Sequence, residues 1–350
     1  MIALLFAASL AFFITIFSTP VAIKVLRRRG IGQFIQEDVT EHRHKHGTPT
    51  MGGIVIVAAV VVAFGLAHLR LWTPDGGFQL GSREFQPEGL LALLALSGMA
   101  MIGFLDDYSK VRRAHNLGLR KRWKFLGQLT VAGLFAWGAF AADVSTEVAF
   151  TRSLGWDLGP FYAVWVLLFL TGTANAVNLT DGLDGLAAGS SALVFGAFTI
   201  IGFWQFRHLD FYGVEGSLDL AMLAAALAGA VAGFLWWNSA PAQVFMGDVG
   251  SQALGGAMAA FALLTNTHLL LVLLGGLYVM ETLSVILQVA SFRMLGRRIF
   301  RMAPIHHHFE MKGWPETTVI VRFWIVAGLA VALGLGFFYG DFITAEDFAK

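Results

Sequence analysis

The stretch Asn175–Gly185 reads Asn-Ala-Val-Asn-Leu-Thr-Asp-Gly-Leu-Asp-Gly and stands between two long apolar runs. Its two aspartates therefore lie at the end of a segment long enough to cross a membrane, where an ionisable side chain is costly and usually serves a function. If a helical turn continues through the stretch, Asn178, Asp181 and Asp184 share one face, because they are three residues apart. We expect the other polar motifs of the chain to gather around this stretch on one side of a membrane.

The composition is that of a membrane protein. Of the 350 residues, 57% are hydrophobic and 13% are charged, whereas about 25% of a typical soluble domain is charged; the mean hydropathy is +0.68. The apolar runs are continuous rather than alternating, which favours a helical bundle over a β-barrel. The polar loops are too short for a separate soluble domain, so residues 1–350 are treated as one integral membrane domain. The absence of cysteine excludes disulfides and thiolate chemistry.

The sequence predicts an all-α polytopic membrane protein with about ten transmembrane helices. The predicted spans are 2–24, 51–69, 88–105, 125–142, 160–178, 186–204, 218–237, 249–266, 269–291 and 319–340. The eighth and ninth are separated by very few residues, around Thr265–His268.

Lysine and arginine are concentrated on one predicted side of the membrane. Loops 24–50, 106–124 and 292–318 contain six, seven and five of them, whereas all the loops and ends on the other side contain five in total. By the positive-inside rule, the first side is cytoplasmic and both termini are periplasmic. The polar motifs all lie on that cytoplasmic side.

Asp106 and Asp107 are predicted to close the third span. They could be a solvated pair at a helix end. Two adjacent acids at a helix C-terminus oppose the helix macrodipole, however, and that cost favours a metal ion or a basic partner nearby. Neighbours on a helix point about 100° apart, so the two carboxylates are expected to differ in role.

The remaining acidic motifs also have a structural alternative. Asp181 and Asp184 precede glycines and could be turn or cap residues. Asp248, within Phe245–Ser251, could be the N-cap of the eighth span. A helix N-terminus with adjacent glycines is equally suited to bind a phosphate.

Ala303–Glu310 contains three successive histidines within a basic loop. They could bind a transition metal, but no cysteine accompanies them and the acids elsewhere suit Mg²⁺ better. A contact with a substrate phosphate or carboxylate is favoured here. Lys45, Lys121 and Lys124 are candidates to pair with phosphates, although each could also reflect the positive-inside bias or binding of lipid headgroups.

The combination of these motifs is more informative than any one of them. Aspartates, asparagines, histidines and lysines on several loops of one membrane face, with glycine turns, indicate Mg²⁺ and phosphates. The predicted chemistry is phosphoryl transfer at the membrane surface. An ion-coupled transporter is the rival from another class, but it would place its acids near the bilayer midplane and show an internal repeat. Glu281, inside the ninth predicted span, would suit such a protein, but the other acidic motifs cluster at one membrane face and the sequence shows no internal repeat.

At these motifs the chain resembles the polyprenyl-phosphate N-acetylhexosamine-1-phosphate transferases. Thr48–Gly53, Phe104–Tyr108, Asn175–Gly185, Phe245–Ser251 and Pro304–Glu310 follow one another in the family's order along the whole chain. The Pro-Ile-His-His-His-Phe-Glu form of the last motif points to the phospho-N-acetylmuramoyl-pentapeptide transferase branch. The sister branch, which transfers GlcNAc-1-phosphate from UDP-GlcNAc to the same lipid, is the alternative.

The resemblance implies transfer of phospho-MurNAc-pentapeptide from UDP-MurNAc-pentapeptide to undecaprenyl phosphate. The products are the lipid-linked intermediate called lipid I and UMP, the cofactor is Mg²⁺, and the reaction is the first membrane step of peptidoglycan synthesis. It also implies the bacterial inner membrane, an active-site cleft open to the cytoplasm, and often a homodimer. No nucleic acid partner is expected.

The same resemblance suggests roles for individual residues. The expected catalytic residues are Asp106, Asp107, Asp248, His306, His307 and His308. The expected metal ligands are Asp248 with Asp106 or Asp184. The expected substrate-binding residues are Lys45, Thr50, Lys121, Lys124, Asn178, Asp181, Asp184, Asn238, Phe245, Gly247, Ser251 and Gln288. In this hypothesis Asp107 removes a residual proton, positions the nucleophile or forms a covalent aspartyl-phosphate, and the prenyl chain lies along the ninth span beside Gln288.

Overall fold

The structure is a computed structural model that describes residues 1–32, 47–70, 81–113 and 118–349. Helices dominate these residues. The helices are α1 (Ile2–Arg28), α2 (Gly53–Ala67), α3 (Pro87–Arg113), α4 (Lys121–Ala141), α5 (Tyr162–Thr180), α6 (Leu186–Arg207), α7 (Leu209–Tyr212), α8 (Ser217–Asn238), α9 (Gly247–Leu264), α10 (Leu270–Leu274), α11 (Gly276–Leu295), α12 (Ile305–Glu310) and α13 (Glu316–Ala349).

Two small antiparallel hairpins complete the described structure. The strands are β1 (Leu69–Arg70) with β2 (Gly81–Ser82), and β3 (Glu147–Ala149) with β4 (Ser153–Asp157). Leu69 pairs with Ser82, and Glu147 pairs with Asp157. Both hairpins connect helices at the opposite end of the bundle from the polar motifs.

Seven helices within the described ranges are long and apolar enough to cross a membrane: α1, α3, α5, α6, α8, α11 and α13. The protein is therefore an all-α polytopic membrane protein. The other three predicted spans overlap α2, α4 and α9, which are shorter or less apolar. The predicted ninth span is interrupted, because α10 ends at Leu274 and α11 begins at Gly276.

The helix α9 lies at the centre of the bundle. Every residue from Val249 to Leu264 is buried. This is expected for a helix that carries mostly apolar and small residues on all of its faces. Small residues allow its neighbours to approach closely. A Cβ added to Gly103 of α3 would collide with the carbonyl of Asp248, and one added to Gly53 of α2 would collide with the backbone of Gly250.

Backbone hydrogen bonds join two motifs that are distant in sequence. The Phe245 N–H donates to the Pro49 carbonyl at 2.8 Å, and the Gly52 N–H donates to the Phe245 carbonyl at 2.9 Å. The Gly53 N–H donates to the Met246 carbonyl at 2.9 Å. The segment that begins α2 therefore lies directly beside the segment that begins α9. This agrees with the expectation that the polar motifs gather in one place.

Three local expectations are corrected by the helix boundaries. The helix α3 does not end at Asp106 and Asp107 but continues to Arg113, so the two acids do not face a helix C-terminus. The helix α5 ends at Thr180, so Asp181 and Asp184 lie in the following turn and not on one helical face with Asn178. The N-cap of α9 is Met246, which places Asp248 inside the first helical turn.

Candidate active site

Three carboxylates from two helices form the centre of the site. Asp106 and Asp107 of α3 and Asp248 of α9 each offer an oxygen, and the three oxygens lie within 4.8 Å of one another. Asp106 and Asp107 are 4% and 3% exposed, and Asp248 is half-buried. We call these residues the carboxylate cluster. Among the residues that the structure describes, it is the one acidic or histidine group with spacing suitable for a metal ion.

Two lysines neutralise part of this negative charge. Lys110 Nζ lies 2.8 Å from Asp106, 3.2 Å from Asp107 and 3.1 Å from Asp248. Lys124 Nζ lies 2.9 Å from Asp248 and 3.9 Å from Asp106. The contact of Lys124 agrees with its expected place in the site.

Lys110 was not among the residues expected from the sequence. A signal for it existed, because it follows Asp106 by four residues and Asp107 by three, the spacings that place side chains together on a helix. That spacing is informative only if α3 continues past the two acids. The sequence prediction ends the third span at residue 105 and therefore does not place Lys110 on the same helix.

Hydrogen bonds fix the orientation of each carboxylate. Asp106 accepts from the Leu119 N–H at 2.9 Å, and Asp107 accepts from the Val249 N–H at 3.1 Å. Asn178 Nδ2 donates to Asp248 at 2.9 Å and to the Ser251 hydroxyl at 2.8 Å. Asn178 and Ser251 therefore lie in the site as expected, directly next to the carboxylate cluster.

The beginning of α9 needs a glycine for two reasons. Gly247 has a φ of 73°, a conformation that residues with a side chain rarely adopt. A Cβ at this position would also lie 2.5 Å from Asp107 Oδ2 and 3.0 Å from Thr50 Oγ1. Thr50 and Gly247 are thus both beside the carboxylate cluster.

Asp181 lies in the turn after α5 and is half-buried. Burial of its carboxyl, together with the negative charges of Asp248 and Asp107, raises the pKa of Asp181 to about 8. Asp184, in contrast, is tied to another part of the bundle. Its carboxylate accepts from the Ala242 N–H at 2.9 Å, and it is not one of the three grouped carboxylates.

The three histidines have separate partners on or next to α12. His306 is fully buried, and its Nδ1 lies 3.1 Å from Glu281 of α11, which is also fully buried. His307 Nδ1 lies 2.7 Å from Glu310. His308 Nδ1 accepts from the backbone N–H of Arg301 at 3.0 Å.

Of the three, His306 is the one that the structure places against the central stretch. A Cβ added to Gly182 would collide with His306 Nε2. The turn that contains Asp181 therefore rests on the first histidine of the motif, and the glycine at 182 is what permits this approach. Glu281, a buried acid inside a predicted span, has His306 as its partner.

Five other expected residues remain, and two of them, Asn238 and Gln288, make structural contacts. Asn238 is buried and donates to the Val244 carbonyl at 2.9 Å. Gln288 accepts from the backbone N–H groups of Ile299 and Phe300, at 3.0 and 2.9 Å, and so fixes the loop after α11. The remaining candidates are described together: Phe245 is half-buried beside Pro49, Lys121 is exposed at the first turn of α4, and Lys45 is outside the described residues.

The donor set of the carboxylate cluster fits Mg²⁺. Mg²⁺ prefers carboxylate and water oxygens and is usually held by one or two carboxylates together with substrate phosphates. The oxygens of Asp106, Asp107 and Asp248 are hard ligands within reach of one ion, and two ammonium groups already lie among them. The position therefore suits positive charge.

Comparison with known proteins decides the family. The sequence is 50% identical to the phospho-N-acetylmuramoyl-pentapeptide-transferase of Kocuria rhizophila, over 98% of this chain and 96% of the relative. Proteins of the same name from Streptomyces griseus and Frankia alni are 47% and 49% identical over at least 97% of both chains. The chain belongs to the phospho-N-acetylmuramoyl-pentapeptide transferases.

Two family profiles locate the match along the chain. Glycosyl transferase family 4 matches residues 90–266, and the phospho-N-acetylmuramoyl-pentapeptide-transferase signature 1 matches residues 45–57. The first range contains the carboxylate cluster and Asn178. The second contains the segment that pairs with Phe245 and Met246. The recognition made from the motifs is confirmed, and with it the assignment of the chain as a sugar-1-phosphate transferase of peptidoglycan synthesis.

Proposed function

We propose that this protein transfers phospho-MurNAc-pentapeptide from UDP-MurNAc-pentapeptide to undecaprenyl phosphate, giving lipid I and UMP. The observation that carries the proposal is the carboxylate cluster with Lys110 and Lys124 in direct contact. Alternating carboxylates and ammonium groups of this kind suit a pyrophosphate that is bound together with a divalent cation. The names of the relatives supply the sugar and the peptide.

Mg²⁺ is the proposed cofactor, with Asp248 and Asp106 as ligands. The geometry adds Asp107 to this set and favours it over Asp184, whose carboxylate bonds the backbone of Ala242. When bound, Mg²⁺ neutralises charge on the pyrophosphate and on the departing UMP. Lys124 then serves as a second positive charge beside the same phosphates.

The proposed reaction is a displacement at the β-phosphorus of the nucleotide sugar. An oxygen of the lipid phosphate forms the new P–O bond, and the bond to the UMP oxygen breaks. A phosphate monoester with a second pKa near 6 is largely dianionic at neutral pH, so a strong base is not required. Asp107, held by the Val249 N–H, would orient this nucleophile. A covalent aspartyl-phosphate on Asp107 is the competing route.

The surrounding residues have proposed binding roles. Asn178 and Ser251 orient Asp248 and border the nucleotide, and the ring of Phe245 offers a surface for the uracil. His306 supports the turn of Asp181 on the sugar side. The exposed apolar face of α11, near Gln288, would accommodate the prenyl chain.

The proposed topology follows from the distribution of basic residues. We infer ten spans, with α2, α4 and α9 completing the seven long helices, both termini in the periplasm and the carboxylate cluster on the cytoplasmic face of the inner membrane. Both substrates are then accessible: the nucleotide from the cytoplasm and the lipid from the inner leaflet. A homodimer is the proposed assembly.

Release of UMP by the purified protein in detergent tests the proposal. Undecaprenyl phosphate and Mg²⁺ are supplied with either UDP-MurNAc-pentapeptide or UDP-GlcNAc, and a parallel reaction contains EDTA. We expect Mg²⁺-dependent UMP with the muramoyl substrate alone. UMP with UDP-GlcNAc alone would move the protein to the sister branch, and no UMP from either, with folded protein, would refute the transferase proposal.

A further inference from the structure

A group of three amide side chains lies one helical turn from the carboxylate cluster; two of them are buried, and the third, Asn175, is exposed. Gln128 Nε2 of α4 donates to Gln252 Oε1 of α9 at 3.0 Å. Gln252 Nε2 lies 3.5 Å from Asn175 Oδ1 of α5. Gln128 is 3% exposed and Gln252 is fully buried. We call these three residues the amide layer.

The amide layer has the same helical register as the site. Gln128 follows Lys124 by four residues, and Gln252 follows Asp248 by four residues. Residues at this spacing share a helix face. The glutamine pair therefore joins the same two helices, on the same faces, as the contact between Lys124 and Asp248 at 2.9 Å.

We propose that Gln128 and Gln252 are positioning residues, which fix α4 against α9 and thereby hold Lys124 Nζ against Asp248. This inference rests on the proposed function, because it assigns the pair a role in that reaction. The two glutamines do not touch the carboxylate cluster themselves. They act on it through one turn of each helix.

Energetic considerations favour positioning over stabilisation. Hydrogen bonds between side chains of membrane helices contribute on average only about 0.6 kcal/mol, whereas leaving one buried polar partner unpaired costs about 1–3 kcal/mol. Two apolar side chains would pack α4 on α9 at little or no loss of stability. A hydrogen bond between two amides is directional, unlike a contact between apolar side chains. Its geometry therefore fixes how far each helix is rotated and shifted along its axis.

The test compares Gln128→Leu, Gln252→Leu and the double variant in the full-length protein. Each is measured by thermal unfolding in detergent, by kcat and KM for UMP release, and by the Mn²⁺ concentration that half-saturates the protein in electron paramagnetic resonance. The single variants should lose stability, because each leaves one amide unpaired. The double variant should regain most of that stability.

Positioning predicts that activity does not return with stability. In the double variant kcat should remain about ten-fold below the wild type, since displacement of catalytic groups by a fraction of an ångström to 1 Å has effects of up to about 10²-fold. The half-saturating Mn²⁺ concentration should fall, because Lys124 then competes less well with the ion for Asp248. A double variant with wild-type kcat and wild-type Mn²⁺ affinity would overturn the proposal, because the amides would then be purely structural.

Two further variants complete the design. Gln128→Asn keeps the amide but shortens its reach by one methylene, so the hydrogen bond can form again only if α4 moves against α9, and kcat should fall; unchanged kcat would count against positioning. Gln205→Leu is the matched control. Its buried amide donates to the Thr265 carbonyl at 2.8 Å, at the opposite end of α9 from Asp248, so its loss should lower stability and leave kcat unchanged.

The Mn²⁺ measurement separates this proposal from the proposed function. If the wild type released no UMP, the reaction would be wrongly assigned. The amide layer would still be judged by whether the double variant binds Mn²⁺ more tightly than the wild type; equal affinity would count against it.

Discussion

Replacement of Lys110 by methionine tests whether the carboxylate cluster is built for a cation. Lys110 Nζ lies within 3.2 Å of all three carboxylates, and the lysine side chain is 30% exposed. An exposed ion pair contributes about 0–1 kcal/mol and breaking a buried one costs about 3–5 kcal/mol, so we take about 2 kcal/mol for this partly buried lysine. With an unfolding entropy of about 2.1 cal/mol/K per residue over 350 residues, this loss lowers the unfolding temperature by about 3 °C.

The assay is thermal unfolding in detergent, in EDTA and in Mg²⁺. Without metal, Lys110→Met should unfold about 3 °C below the wild type, because three carboxylates then repel one another. Mg²⁺ should restore the loss and raise the unfolding temperature more in the variant than in the wild type, since the ion no longer competes with the ammonium group. Lys24→Met, at an exposed position of α1, controls for loss of one positive charge. An equal Mg²⁺ effect in Lys110→Met and the wild type would refute the reasoning.

Three further predictions follow from the same geometry. Asp248→Asn should lower kcat for UMP release by at least about 10²-fold, because it removes charge from the proposed metal site; near-normal turnover in Mg²⁺ would contradict the ligand assignment. The raised pKa of Asp181, about 8 against 3.8 for the unfolded chain, means that the folded state binds this proton more tightly, so stability falls as pH rises from about 4 to 8. Asp181→Asn should therefore show a shallower fall in unfolding temperature between pH 6 and pH 8.5 in EDTA, and parallel curves for the two proteins would count against the shift. Glu281→Leu should cost about 1–3 kcal/mol by removing the polar group that faces the buried His306, whereas Glu281→Gln, which keeps a polar group there, should cost less; equal unfolding temperatures for both variants and the wild type would show that this contact does not stabilise the fold.

The sequence predicted the class of the fold well because hydrophobic runs of membrane length leave few alternatives to a helical bundle. Its errors concern where helices end. The third span was ended at residue 105, because the apolar run stops there, yet α3 continues through Asp106 and Asp107 to Arg113. Hydropathy alone predicts that two adjacent acids end a membrane helix. Ion pairs with Lys110 inside the site offset the cost of these charges.

The candidate site was predictable where motifs carry their own chemistry. Asp106, Asp248 and Asn178 were all expected near one another, and the structure brings them together. The contact of Glu281 with His306 and the pairing of Gln128 with Gln252 join residues on different helices. No spacing within one sequence encodes such contacts, because they depend on how the helices are rotated against each other.

The proposed role of the carboxylate cluster is to hold the divalent cation of the reaction. Electron paramagnetic resonance of Mn²⁺, titrated into the purified protein without substrates, measures this binding. One ion should bind to the wild type and be displaced by Mg²⁺, and binding to Asp248→Asn should be much weaker. Equal Mn²⁺ occupancy in the wild type and in Asp248→Asn would contradict this role.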